Sequence, residues 1–285
     1  MDPKHHLNAW QYPNCMHVNH SKIENVTFAK YMKDAGYTVG LFGKYLNTIP
    51  PHTPEGFDAW MANGGGTYIA PSFSMSGMEW FIPKSSYNSR HWWWGSVDNY
   101  STAVIGNATI GWIRKVRREL PQKPFFAYVA PKAAHAPYIP APWHVDAWEP
   151  GWPDTEPRDN PPWNCSKLSR ATKHGRIAEN GWLTDEAAKV ITGVFKNRWR
   201  TLMSVDDLIG AVIDECEDQG LLDNTYFFFT SVSPRLLARP PSRPTLSLSP
   251  RQRACPPPFH ARPLHLLPPS RPGRTTASSL GSSTY

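Results

Sequence analysis

Nowhere do the 285 residues hold an apolar run long enough to cross a bilayer. The opening "MDPKHHLNAWQYPNC" carries no hydrophobic segment of the kind a secretory leader needs, so no signal peptide is expected in this chain. Cysteine is scarce: Cys15, Cys165, Cys216 and Cys255 form no Cys-x-x-Cys pair and no zinc spacing, and any disulfide pairing stays open. Acidic residues are missing altogether from positions 232–285, where eight arginines stand without a lysine, aspartate or glutamate. The formal charge of +7 therefore belongs to that tail, and residues 1–231 balance 22 basic against 23 acidic side chains. A body so nearly neutral gives no electrostatic reason to expect a nucleic-acid partner.

The tail also holds twelve of the thirty prolines, and no tryptophan follows Trp199. Such a composition buries too little apolar surface to offset its chain entropy, so 232–285 is expected to be disordered and 1–231 to be the folded domain. What is present in the body includes five sequons, at Asn19, Asn25, Asn99, Asn107 and Asn164, which suit a glycosylated, secretory protein. A secretory body without a leader suggests a missing N-terminus.

The periodicities read as alternating helices and strands. In "KIENVTFAKYMKDAGYTVGLFGKYL", Phe28, Tyr31 and Met32 follow helical spacing, Gly36 ends the helix, and Thr38 to Phe42 is a short buried strand. Residues 49–98 are rich in turns and aromatics, with Gly64 to Gly66 and Trp92 to Trp94, and show no regular period. "YSTAVIGNATIGWIRKVRREL" is an amphipathic helix, with Val104, Ala108, Ile110, Trp112, Ile113 and Val116 on its apolar side. Phe125 to Ala130 reads as a buried strand running into a proline-punctuated loop that carries His135, and 145–183 as a long Pro/Trp-rich loop. A long helix starts at an N-cap, Thr184, and stops at Gly220; a last strand covers Tyr226 to Phe229. Apolar strands alternating with helices predict an α/β sheet covered on both faces.

In such sheets ligands sit beyond the C-terminal strand ends. That rule selects Gly43 to Asn47, Pro131 to Pro140 and whatever follows Ser231. Lys44 could clamp an anionic oxygen, or be a solvated surface lysine. His135 could serve as a general acid or anion contact, or be incidental to its loop. Asp206 and Asp207 look like a cation pair, but adjacent helical positions diverge by about 100°, which favours a solvated face or a helix–loop pairing. The tryptophan run could stack on sugar faces or form a buried aromatic cluster.

"TFAKYMKDAGYTVGLFGKYLN", "PFFAYVAPKAAHAPYIPAP" and "FKNRWRTLMSVDDLIGAVIDECEDQGLLDNTYFFFTS" resemble, in order, consecutive blocks of the sulfatase family, nearest the secreted arylsulfatases and N-acetylglucosamine-6-sulfatases. The likeness covers roughly residues 20–231. It implies an alkaline-phosphatase-like α/β fold, a mixed sheet with helices on both faces, incomplete at both ends here. It also implies sulfate-ester hydrolysis with Ca²⁺ and a formylglycine made from Cys or Ser in a Cys/Ser-x-Pro-Ser-Arg motif. Lys44 matches the lysine that contacts the sulfate and steadies the nucleophile, and His135 the histidine near the leaving-group oxygen. Many members carry a histidine two residues after that lysine; here Leu46 stands there, followed by Asn47, as in the glucosamine-sulfatase-like branch.

Departures from the pattern are equally clear. The family's last strand leads into Ser-Asp-Asn-Gly or Ser-Asp-His-Gly, whose Asp and next residue serve the metal; here Ser231 is followed by Val232-Ser233-Pro234. Cys15 lacks Pro, Ser and Arg at the required offsets, and Cys255 has a Pro two residues on but no Arg and lies in the tail. The formylglycine site is therefore absent and Ca²⁺ is not expected to bind. Three readings follow: a sulfuric ester hydrolase by family but without turnover in this chain; a non-catalytic binder of sulfated glycans; or an unstable product of a faulty gene model. The expected partner is a sulfated glycan or an aryl sulfate ester, and the expected location secreted or lysosomal. The abrupt change of composition at Ser231 reads as a splicing or frame error, so another frame should restore an Asp-(Asn/His)-Gly segment.

Overall fold

The computed structural model describes residues 23–147, 173–179 and 181–231. The chain divides into two units, Met1–Phe229 and Thr230–Tyr285, and of the second only Thr230 and Ser231 are described. The expected disorder of the tail, Asn19, Asn164, Cys15, Cys165, Cys255 and most of the Pro/Trp-rich loop lie outside the described residues.

Five strands form one mixed sheet: β1 (Thr38–Lys44), β2 (Ala59–Asn63), β3 (Ser72–Ser76), β4 (Trp92–Trp94) and β5 (Phe125–Ala130), in the order β4-β3-β2-β1-β5. β1 lies at the centre of the parallel part, with β2 on one side and β5 on the other; β3 and β4 run antiparallel. Helix α1 (Phe28–Asp34) is capped by Thr27, whose side chain accepts from Lys30 N, and stops before Gly36, at φ +89°. Helix α2 (Ser101–Glu119) supplies the crossover to β5, and α3 (Asp185–Asp218) packs on α2. Thr184 caps α3 as expected, its side chain accepting from Ala187 N, and Gly220 closes it at φ +64°.

Side chains alternate across the sheet, as the two-residue strand period requires. One face places Phe42, Ala59, Met61, Phe73 and Met75 against Ile105, Ala108, Trp112, Ile113 and Val116 of α2, with Leu208 and Cys216 of α3 behind. On the other, Leu41, Trp60 and Ala62 meet Tyr45, Ile49, Phe57 and Tyr128. Phe28 of α1 joins Tyr128 there, ring centroids 5.3 Å apart. Helices on both faces of a mixed sheet are thus observed.

Four expectations need correction. Tyr226 to Phe229 is not a strand: Thr225 takes extended angles, but the segment pairs with nothing among the described residues and Tyr226 is 87% exposed. A strand exists only where a neighbour accepts its ladder hydrogen bonds, and among the described residues none pairs with this one. Residues 49–98, read as aperiodic, contain β2, β3 and β4. These strands are three to five residues long. β3, Ser-Phe-Ser-Met-Ser, does alternate with the two-residue strand period, but it is a single short run among turns, and β2 and β4 show no alternation of their own. β5, read as buried, is half-buried throughout because it ends the sheet order and is covered along one edge only. In α1 the buried residue is Ala29, while Phe28 and Tyr31 are 47% and 59% exposed.

Candidate functional site

β1, β2 and β5 are parallel neighbours, so their C-terminal ends share one edge of the sheet, with Gly43 opposite Ala130 and Lys44 opposite Asn63. This is where an α/β sheet offers a ligand crevice. Of the three places selected from sequence, the first two fall here; the third follows the segment that forms no strand.

Lys44 occupies the last position of β1 and is half-buried. Its Nζ donates to Asn47 Oδ1 at 3.0 Å, which joins two residues named from sequence. Burial draws its pKa down to about 8. Lys30, Lys33, Lys84 and Lys115 each pair with a carboxylate, whereas among the described residues Lys44 forms no ion pair.

β2 delivers a glycine turn to the same edge. Asn63 is buried at its end; its Oδ1 accepts from Gly65 N at 3.1 Å and its Nδ2 donates to Ser72 O at 3.3 Å. The stem of Lys44 runs beside this turn: a side chain on Gly65 would begin 3.9 Å from Lys44 Cε. Tyr68, at the far end of the turn, is buried, and its hydroxyl donates to His135 O at 2.6 Å. Burial, with Tyr100 beside it, pushes the Tyr68 phenol well above its ordinary range, so it stays a donor at any physiological pH.

His135 sits in the loop after β5 and is exposed. Its Nδ1 lies 2.8 Å from Ala136 O, an acceptor only, so Nδ1 is the donor in that bond. The loop is braced within itself, His135 N donating to Lys132 O at 2.9 Å and Tyr138 N to His135 O at 3.1 Å. Among the described residues no hydrogen bond joins His135 to Lys44; the link between their strand ends runs through the β2 turn. Lys132 completes that link: its Nζ donates to Gly66 O and lies 5.0 Å from the centre of the Tyr68 ring.

Asn63, Tyr68 and Lys132 were not singled out from sequence. Gly64 to Gly66 was the available signal, since a glycine triplet after a short apolar run marks a tight turn. Asp207 forms the helix–loop pairing: His144 Nε2 is 2.6 Å from Asp207 Oδ2, and Trp143 Nε1 donates to the same oxygen at 3.2 Å. Burial, and then Asp207 beside it, raise the Asp206 pKa. In β4, Trp93 stacks on Phe73 while Trp92 and Trp94 lean on each other, Trp94 being 56% exposed. Asn25 is exposed in a short 3₁₀ turn and Asn99 is half-buried, its Oδ1 accepting from Ser96 N at 2.7 Å. Asn107 lies half-buried within α2.

Among the described residues no three His, Cys, Asp or Glu side chains come together as metal ligands. A hard cation needs several oxygen donors, so the described residues do not fit the Ca²⁺ implied by the resemblance. No helix among the described residues is long and apolar enough to cross a membrane.

The sequence model of the family described as sulfatase matches residues 2–231. N-acetylglucosamine-6-sulfatase of Homo sapiens is 29% identical over 238 residues, 80% of this chain and 40% of that protein. That of Capra hircus is 28% identical over 238 residues, with 80% and 39% covered. An extracellular sulfatase SULF-1 homolog of Drosophila melanogaster is 26% identical over 216 residues, 73% of this chain and 17% of that one. The chain thus spans about two fifths of the length of the first relatives it matches. A solved structure, BT4656 in complex with its substrate D-glucosamine-2-N,6-O-disulfate, is similar over 70% of this chain and 47% of that one, at 21% identity and a TM-score of 0.42.

Proposed function

Because the chain belongs to the sulfatase family, we propose that the edge formed by β1, β2 and β5 is the anion-holding part of a sulfate-ester site. The carrying observation is Lys44, a half-buried lysine without an ion-pair partner among the described residues, at the end of the central strand. An unneutralised cation in a partly desolvated place is costly unless an anion is supplied, and there it holds the anion more strongly than it would in water. Asn47 fixes the ammonium and leaves two of its three protons for oxygens of the ligand. His135, whose Nδ1–H goes to Ala136 O, would contact the ester oxygen from the neighbouring loop as an imidazolium, with Nε2 also carrying a proton to donate. The ligand class is a sulfated amino sugar, as in the name of the mammalian relatives, or a simple aryl sulfate.

Hydrolysis is a separate matter. In this reading the chain binds sulfate esters without turning them over, since no Cys or Ser stands in a Cys/Ser-x-Pro-Ser-Arg run and covalent catalysis needs that nucleophile. Secretion or lysosomal delivery, with glycans on exposed sequons, belongs to the same proposal.

Titration calorimetry of the full chain with inorganic sulfate and with N-acetylglucosamine 6-sulfate tests it. Binding is expected for both, weakened at least about tenfold by Lys44→Ala, as for loss of a charge-assisted contact. Because Lys44 titrates near 8, affinity should fall as the pH rises through that value. No binding by the wild type at pH 6.5 would remove the reading. Release of 4-methylumbelliferone from its sulfate, above a Lys44→Ala, His135→Ala control, would remove the claim of inactivity.

A further inference from the structure

We propose that Lys132 is a second cationic contact for the bound anion, facing it from the β5 loop while Lys44 faces it from β1, with the Gly64–Gly66 turn between them. This rests on the sulfate-ester reading and goes beyond it: Lys132 lies inside the resembling block "PFFAYVAPKAAHAPYIPAP", but the resemblance assigns a role there to His135 and none to Lys132. Three observations carry the inference. First, Lys132 is half-buried and, like Lys44, forms no ion pair among the described residues, whereas the lysines of α1, α2 and the β3–β4 connection are neutralised by carboxylates. Second, both lysines border one glycine turn: Lys44 runs beside Gly65, and Lys132 donates to the Gly66 carbonyl. Third, the Lys132 head is held rather than free, by that carbonyl and by the Tyr68 ring 5.0 Å away.

Such placement is preorganisation. The carbonyl takes one of three ammonium protons, which leaves two for a ligand, and the fixed head loses less freedom on binding than a free lysine does. Burial lowers the Lys132 pKa, as it does that of Lys44. The same carbonyl and ring contacts tie Lys132 to His135, whose backbone oxygen accepts from Tyr68, so the histidine loop and the second cation move as one. Two cations suit the spread charge of a tetrahedral oxyanion better than a carboxylate.

A purely structural role would be to hold Gly66, and the test separates the two. Lys132→Gln keeps a donor for the Gly66 carbonyl and removes the charge; Lys132→Arg keeps both. The full chain is titrated with inorganic sulfate at fixed ionic strength, beside Lys44→Ala, with thermal midpoints recorded for each variant. Lys132→Gln should weaken binding about tenfold with little change in midpoint, and Lys132→Arg should remain within about threefold of wild type, as for loss and retention of one charge-assisted contact. Wild-type binding by Lys132→Gln would overturn the inference and leave the sulfate reading standing, provided Lys44→Ala still loses affinity. Absence of sulfate binding in the wild type would sink both together. Should the variants misfold, acetic anhydride labelling of the wild type decides: sulfate should protect Lys132 and Lys44 alike, and protection of Lys44 alone would refute the second contact.

Discussion

Thr38–Lys44 and Thr225–Phe229 are both short runs of aromatic and aliphatic residues, and each follows a helix that stops at a glycine with positive φ. In the first, Val39, Leu41 and Phe42 are fully buried, and the strand is laddered on both sides. In the second, Tyr226, Phe228 and Phe229 are 84% exposed or more, and no ladder forms among the described residues. Both runs have strand propensity, and the outcome is opposite. A β-strand is a property of a pair: the backbone groups and the apolar face of Tyr226–Phe229 have the propensity but lack a neighbour, while β1 has two.

The sharpest way to break this contrast is to deprive β1 of a neighbour. A Cβ on Gly43 would lie 2.1 Å from Ala130 O, at φ +117°. Gly43→Val should therefore part β1 from β5 and cost at least about 4 kcal/mol, seen as loss of cooperative thermal unfolding by circular dichroism. Next comes the face of the sheet that β1 shares with α2. Trp112, 3% exposed and packed on Phe42 and Phe125, should cost about 3–5 kcal/mol as Trp112→Ala in urea unfolding. By contrast Phe228→Ser should shift stability by no more than about 0.5 kcal/mol, because little is buried there. The same variant should raise solubility, measured by light scattering, since it interrupts an exposed aromatic run. A destabilisation near that of Trp112→Ala would mean that Phe228 is packed and the contrast false.

The smallest effect is that of pH on Lys44. Its folded pKa, about 8, lies below the ordinary lysine value, so between the two the unfolded chain binds more protons. Stability should rise with pH across that interval, and Lys44→Met should flatten the rise in a series of urea midpoints.

The same contrast explains what could be read in the sequence. β1 and α2 were legible because each has a long enough period to declare itself, from Thr38 to Phe42 and from Val104 to Val116. β3 carries a two-residue period in Ser72-Phe73-Ser74-Met75-Ser76 that was legible but short, whereas the three tryptophans of β4 form a strand by pairing with β3, which no local pattern encodes. Edge status was invisible too: Phe125, Phe126 and Tyr128 look like a core strand, yet β5 closes the sheet order. Of the proposed site, Lys44 and His135 stand out in the sequence as polar residues just past apolar runs. Lys132 was not, because its meaning depends on Gly66 and Tyr68, 66 and 64 positions away, brought alongside by the pairing of β1 with both β2 and β5.

Helix α3 has a mechanical consequence. Its 34 residues form a rod of about 51 Å at ~1.5 Å per residue. Yet every buried position on it, from Thr201 through Ser204, Val205 and Leu208 to Cys216, lies at or beyond its midpoint. Its C-terminal part is held where Glu215 pairs with Arg114 of α2 at 2.6 Å, while Val190 nearer its start is 66% exposed. Thermal bending should accumulate toward Asp185, and amide exchange should slow stepwise along the helix on passing Thr201, with the anchored half exchanging only when the α2–α3 contact opens.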